Sequence, residues 1–329
     1  MCAGRELIDL AGSVLAGDRL GLARLLTQVE NDTPQGRMAL DQLFPHTGKA
    51  YLVGVTGSPG TGKSSLVNQL ALAFRHPAGD EPSKRVAIIA IDPTSPFSGG
   101  ALLGDRVRMR DLSGDSGVFI RSMASRGALG GLARASSAAA SVLDAAGFEI
   151  ILIETVGAGQ SEVDIARLAH TTIVVEAPGM GDEIQAIKAG ILEIADILVV
   201  NKADHPGIEN TERALKAMLE MGHPHRMGRQ PEDLEGEFWL PPVLRSIAIR
   251  GEGVTEVVQA IWQHAEYLRR SGEWRLREYE RMHKMLEILI QQTLMARWQT
   301  SVSAEQVDEV VAGLYERKVT PSEALSRLV

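Results

Sequence analysis

The stretch Tyr51-Leu52-Val53-Gly54-Val55-Thr56-Gly57-Ser58-Pro59-Gly60-Thr61-Gly62-Lys63-Ser64-Ser65 decides the fold. A β-rich apolar run enters a glycine-rich loop, and the loop opens a helix-forming segment that continues to Phe74. Residues 57–64 match G-x-x-x-x-G-K-[ST] in full, which chance produces in a chain of this length only about 1% of the time at average composition. The spacing carries a mechanism. Glycines let successive backbone N–H groups turn inward around phosphate oxygens. The N-terminus of the following helix adds partial positive charge. Lys63 is expected to reach the β- and γ-phosphates of a nucleotide, and the Ser64 hydroxyl to ligate Mg²⁺. The whole loop, Gly57 to Ser65, is expected to contact the nucleotide.

Outward from this loop, short apolar runs alternate with helical stretches. The runs are Tyr51–Thr56, Arg85–Ile91, Val118–Arg121, Glu149–Glu154, Thr172–Ala177, Ile197–Val200 and Val243–Ala248. Several lack in/out alternation, as strands buried on both faces do. Helical segments are expected near 63–75, 128–146, 160–169, 183–194, 208–221 and 253–270. The pattern predicts an α/β fold of the P-loop NTPase class, a mostly parallel sheet flanked by helices. Ligands then bind at the carboxyl ends of the strands.

Residues 1–45 read as an N-terminal helical cap. Leu7, Leu10, Val14 and Leu15, then Leu22, Leu25, Leu26 and Val29, recur at helical spacing. Asp18 and Thr33-Pro34 are the expected helix starts. Residues 46–270 form the nucleotide-binding core. Residues 271–329 lack strand signals and read as a helical arm, with a long helix over Glu273–Gln299. Tyr279, Met282, Leu286 and Leu289 make an apolar seam on it, suited to pairing with a second copy. The charge run Arg269–Lys284 is balanced in sign and is expected to be a solvated face.

Asn201-Lys202-Ala203-Asp204 follows the apolar run Ile197–Val200 and so falls on the phosphate edge of the sheet. A carboxylate at Asp204 accepts from both N1–H and the 2-amino group of guanine. Adenine offers no such pair, so the carboxylate rejects it. Asn201 is expected on the O6/N7 side of the base, with the Lys202 stem over the ring. Ser246-Ile247-Ala248 ends a further run and is expected to touch the base through its backbone.

Ile150-Leu-Ile-Glu154-Thr-Val-Gly157 is an apolar strand ending in an acid, with a glycine three residues on. That is the arrangement of a metal-binding acid and a γ-phosphate-sensing glycine. Asp92 ends another run, and Asp105 lies in Gly99-Gly-Ala-Leu-Leu-Gly-Asp105-Arg-Val-Arg-Met109. With Ser64, the acids Asp92, Asp105 and Glu154 make an all-oxygen set suited to Mg²⁺. Lys63, Asp92 and Glu154 are the candidate catalytic residues. Arg106, Arg108 and Arg110 lie in a long segment near the phosphates, where one arginine can stabilise developing charge. Ala177-Pro-Gly-Met-Gly181 begins a second candidate mobile loop that runs to Lys188. No glutamine follows Gly157 directly, since Ala158 and Gly159 precede Gln160, so intrinsic hydrolysis is expected to be slow.

Composition excludes other classes. The chain has 329 residues, 42 acidic and 34 basic, for a net charge of -8. A nucleic-acid-binding face needs a basic excess, and aromatics at 4% offer few stacking platforms. Cys2 is the single cysteine, too few for a disulfide framework, a cysteine zinc site or an iron–sulfur cluster within one chain. No apolar run approaches the ~18–20 residues needed to span a bilayer. No basic start followed by an apolar stretch marks a signal peptide, so a cytoplasmic location is expected.

Taken together, Gly54-Val-Thr-Gly-Ser-Pro-Gly-Thr-Gly-Lys-Ser64, Asp92-Pro-Thr-Ser95, the Asp105 segment, Glu154-Thr-Val-Gly-Ala-Gly-Gln-Ser-Glu162 and Asn201-Lys-Ala-Asp204 resemble the GTPases of metallocentre assembly. The closer resemblance is to the MeaB/ArgK type, GTPase chaperones of adenosylcobalamin-dependent methylmalonyl-CoA mutase. It covers about residues 1–315. The resemblance implies a homodimer held by the C-terminal arm, a complex with the mutase, and GTP-driven loading and protection of that enzyme. A nickel-insertion GTPase and a P-loop kinase are the alternatives. The first usually adds metal-binding His or Cys, of which His223-Pro-His225 is the only close pair. The second has no need of a guanine-reading motif.

Overall fold

The computed structural model describes residues 9–93, 109–112, 114–125, 131–155, 165–179, 193–222 and 238–329. Seven parallel strands form one sheet: β1 (Tyr51–Thr56), β2 (Val86–Pro93), β3 (Val118–Ser125), β4 (Ile150–Glu154), β5 (Thr171–Glu176), β6 (Ile197–Val200) and β7 (Val243–Arg245), in the order β3-β2-β4-β1-β5-β6-β7. Every residue of β1, β4, β5 and β6 is buried, which explains why these strands show no in/out alternation. The last run stops early. β7 ends at Arg245, and Ala248–Arg250 form a 3-10 turn instead of more strand. Gly253, at φ 76, brings the chain back so closely that a Cβ there would lie 2.1 Å from the Arg245 carbonyl oxygen. That return path leaves no room for a longer strand.

Alternate residues of β1, β2, β3 and β4 feed two cores. Leu52, Ile89, Ile151 and Ile153 pack on the helices α1 (Leu10–Leu15), α2 (Arg19–Glu30), α3 (Pro34–Leu43) and, further along, Gly131–Ala145. Val53, Val55, Ile88 and Leu152 pack on α4 (Lys63–Arg75) and the helix Val254–Ser271. A smaller cluster joins Val174, Leu198 and Val200 to Ile208 and Leu215 of the helix Ile208–Gly222. The N-terminal helices thus share the core of the sheet. Their starts are capped as the sequence indicates: Asp18 accepts from the Leu20 N–H at 2.9 Å and Thr33 from the Gly36 N–H at 3.0 Å.

The amino-terminal ends of the strands hold a buried polar cluster. Asp196, just before β6, accepts two hydrogen bonds from the Arg277 guanidinium, both at 2.9 Å, and one from the Thr172 N–H at 2.8 Å. The Leu52 N–H donates to His170 Nδ1 at 2.9 Å, which leaves the ring hydrogen on Nε2 to be donated to Glu278 at 2.6 Å. Trp274 stacks on His170 with centroids 4.2 Å apart. These contacts fix the first turns of the helix Glu273–Ser301. Arg277 lies in the run read as a solvated face, and here the structure corrects that reading. A carboxylate buried at Asp196 needs a counter-charge, and Arg277 supplies it.

Two compact units divide at Glu278 and Tyr279. In the second, the long helix carries no buried residue and exposes Tyr279, Leu286, Leu289, Ile290 and Leu294. Two shorter helices follow, Ala304–Tyr315 and Pro321–Leu328, each opened by a capping box, at Ser303/Gln306 and Thr320/Glu323. The Trp298 indole donates to the Leu328 carbonyl at 2.6 Å. Among the described residues, no helix is long and apolar enough to cross a membrane.

Candidate functional site

The glycine-rich loop leaves β1 at Thr56 and enters α4 at Lys63, at the carboxyl edge of the sheet. Gly57 has φ 132, and a Cβ there would meet the Val175 carbonyl oxygen at 2.1 Å. Gly62 has φ 94, and a Cβ there would meet Asn201 Nδ2 at 2.3 Å. Both positions need glycine twice over, for backbone conformation and for close approach. Lys63 is buried and folds back over the loop. Its ammonium donates to the Gly57 and Ser58 carbonyls, each at 2.8 Å.

The register of the sheet brings the acid of β4 to this loop. Glu154 pairs with Val55 of β1 and Ala90 of β2, and it is buried. The Ser64 hydroxyl donates to Glu154 Oε1 at 2.5 Å. Two hard oxygen donors from opposite sides of one crevice are thus in contact, a pairing that fits Mg²⁺. Beneath them, Thr155 and Thr56 are hydroxyl-bonded at 2.9 Å, both fully buried. Asp92 sits two residues past Ala90 on β2, so its backbone is at the carboxyl end of that strand. The Asp92 side chain lies outside the described residues. So do Asp105, Gly157, Arg106, Arg108, the 180–188 loop and the His223/His225 pair.

Asn201 follows β6, and its backbone N–H donates to the Glu176 carbonyl at 2.7 Å. Sequence reasoning puts its side chain on the O6/N7 edge of the base. The structure engages that side chain within the protein. Nδ2 donates to the Thr61 carbonyl at 2.8 Å, while Oδ1 accepts from the Ala248 N–H at 2.9 Å and the Ser246 hydroxyl at 3.1 Å. Both lone pairs and one of its two N–H donors are occupied. Asn201 is therefore a bracket joining the phosphate loop to the 246–248 turn.

The turn is held on its other side as well. The Ser246 N–H donates to the Val200 carbonyl at 3.0 Å, and its carbonyl accepts from the Ala203 N–H at 3.0 Å. The Ala248 N–H is thus taken by Asn201. Lys202 has φ 57, a left-handed turn conformation closed by the His205 N–H on the Lys202 carbonyl at 2.9 Å. Asp204, on the same turn, has a side chain 29% exposed, and Arg250 Nη2 stands 3.6 Å from its Oδ2.

Among the predicted residues the structure therefore assembles Gly57–Ser65, Glu154, Asn201–Asp204 and Ser246–Ala248 along one edge. Residue patterns do not reveal the Thr56–Thr155 pair, the bracket role of Asn201 or Arg250 beside Asp204. Each is a contact between segments distant in the chain.

A family model described as MeaB, methylmalonyl Co-A mutase-associated GTPase, matches residues 22–303. A protein of Pyrococcus abyssi named as a GTPase is 41% identical over 321 residues, covering 98% of this chain and 95% of the relative. Methylmalonic aciduria type A homolog, mitochondrial, of Caenorhabditis elegans is 31% identical, covering 96% of this chain and 80% of the relative. A solved structure known as LAO/AO transport system kinase superposes with a TM-score of 0.70 at 25% identity, over 100% of this chain and 98% of its own.

Proposed function

The chain belongs to the family of methylmalonyl-CoA mutase-associated GTPases, and from that premise we propose that it is a Mg²⁺-dependent chaperone of an adenosylcobalamin-dependent methylmalonyl-CoA mutase. It is a P-loop GTPase, a hydrolase acting on GTP. Its client role is to load intact cofactor into the mutase and protect the enzyme. The family description and the name of the Caenorhabditis elegans relative support that client.

The observation that carries the guanine reading is the partly exposed Asp204 carboxylate on the turn that Asn201 brackets to the phosphate loop. A base held over that turn presents N1–H and the 2-amino group to Asp204. Adenine leaves the carboxylate unsatisfied. Lys63 moves from the Gly57 and Ser58 carbonyls to the β- and γ-phosphates. The loop N–H groups and the start of α4 hold the remaining phosphate charge.

Ser64 and Glu154 would hold Mg²⁺, with Asp92 and Asp105 completing the oxygen set. When bound, the ion neutralises charge that develops on the phosphates. The Ser64–Glu154 contact supports this assignment. Gly157 senses the γ-phosphate. Because no glutamine follows it, turnover is slow until the mutase orders the site. The exposed apolar residues of the long C-terminal helix, Tyr279 and Leu286 among them, pair two copies into a homodimer.

The test uses the purified full chain and a purified adenosylcobalamin mutase. GTP is hydrolysed with Mg²⁺ and ATP is not, and retention of the mutase changes between GTP, GDP and no nucleotide. A preference for ATP overturns the guanine reading. No retention in any nucleotide state overturns the chaperone role.

A further inference from the structure

Arg250 lies on the 3-10 turn that ends at Gly251, the turn that begins with Ala248 bound to Asn201. Its guanidinium stands between two carboxylates. Nη2 is 3.6 Å from Asp204 Oδ2 and Nη1 is 3.9 Å from Glu252 Oε1. Neither contact is short enough for a good hydrogen bond, so neither holds the side chain tightly. Arg250 is 58% exposed and free to shift between the two, while the Ile247–Glu252 bridge fixes the backbone beneath it.

The chemistry of the pair is specific. A guanidinium is a carbon carrying N–H donors on neighbouring nitrogens. The N1–C2–N2 edge of guanine is the same fragment, with the same two donors aimed the same way. A carboxylate that reads guanine therefore also reads arginine. We propose that Arg250 is a built-in competitor of the guanine base for Asp204, with Glu252 as the partner that receives it when the base binds. The proposal rests on Asp204 reading guanine.

Competition lowers apparent affinity by the fraction of molecules in which Asp204 is open. Exposed ion pairs of this kind contribute little. Arg250 is thus a brake of modest strength, which lowers nucleotide affinity without altering the phosphate grip of Lys63. Two features set it apart from a residue that merely stabilises the turn. Its effect needs the Asp204 carboxylate, and Glu252 opposes it.

The experiment measures the dissociation constant of GDP on the full-length chain by titration. Arg250→Gln is expected to tighten GDP about two- to six-fold, an effect that shrinks as salt rises. Glu252→Gln removes the alternative partner and is expected to loosen GDP. In an Asp204→Asn background, probed with xanthosine diphosphate, Arg250→Gln is expected to change nothing. Unchanged or weaker GDP binding in Arg250→Gln overturns the proposal, as does a shift of the same sign in both single variants. The Asp204→Asn arm separates the two ideas. If it does not redirect binding to xanthosine diphosphate, the guanine reading fails. If it does and Arg250→Gln has no effect on GDP, only the competitor fails.

Discussion

The side-chain amide of Asn201 donates to the carbonyl of Thr61 at 2.8 Å, so the loop proposed to grip phosphate and the turn proposed to read the base are one bonded unit. The same side chain accepts from Ser246 and Ala248. The two proposed contacts, to base and to phosphate, therefore share a single polar hinge at Asn201.

Asn201→Ala removes that hinge and strands the buried Ala248 N–H and Thr61 carbonyl. Each orphaned group costs about 1–3 kcal/mol. The expected result is a lower urea midpoint, with the unfolding free energy reduced by that amount, together with weaker guanine-nucleotide binding, because the loop and the turn are no longer held in one geometry. Unchanged affinity by titration refutes the bracket role.

Asp204→Asn replaces a pure acceptor with a group that also donates. The expected outcome is weaker GTP binding and a gain for xanthosine nucleotide, whose carbonyl at C2 accepts where guanine donates. Each lost or gained charged hydrogen bond contributes about 1.5–3 kcal/mol, or roughly one to two orders of magnitude in affinity. Competition binding with the two nucleotides decides it.

Arg277→Met leaves the Asp196 carboxylate buried without its counter-charge. Breaking a buried pair from one side costs about 3–5 kcal/mol. The Arg277 side chain is 28% exposed and water partly replaces it, so the lower end of that range is expected. Urea unfolding of the variant measures it. The GTP site lies at the opposite ends of the strands, so nucleotide binding at low temperature should persist.

Acid titration tests the same pair. Burial pushes the Asp196 carboxyl up, but the Arg277 guanidinium, followed by His264, outweighs it and holds the group below its ordinary range. A carboxylate with a depressed folded-state pKa stabilises the fold fully above its unfolded value, about 3.9. That stability is lost as pH falls through the folded value. Wild type should therefore lose unfolding free energy on acidification below about pH 4. Arg277→Met should show a flatter dependence, because its Asp196 is no longer held low. Equal slopes in the two proteins refute the assignment.

The sheet and the phosphate loop are legible in the residues because each depends on chain neighbours. Gly57, Gly62 and Lys63 must stand at fixed spacing for one loop to turn its N–H groups inward, and no distant segment changes that requirement. Strands such as Ile150–Glu154 are apolar up to the closing acid because both faces are covered, and the run Ile150–Ile153 shows it directly. The NKxD turn is legible for the same local reason. The helix starts at Asp18 and Thr33 follow from side chains that cap their own backbone.

By itself, then, the order of residues determined the class of fold and the phosphate loop, and marked Asp204 as the acid proposed to read the base. Only the tertiary structure decided how the site is held together. Asn201 reaches Thr61 across 140 residues, and Arg277 reaches Asp196 across 81. Ser64 meets Glu154 because β4 lies beside β1 in the order β3-β2-β4-β1. Such contacts depend on which strands become neighbours and on their register. A polar side chain whose partner comes from another strand leaves no periodic trace in its own segment. Asn201 thus reads only as a base contact, with no sign of its bond to Thr61, and Arg277 as a surface charge, until the sheet assembles and brings their partners to them.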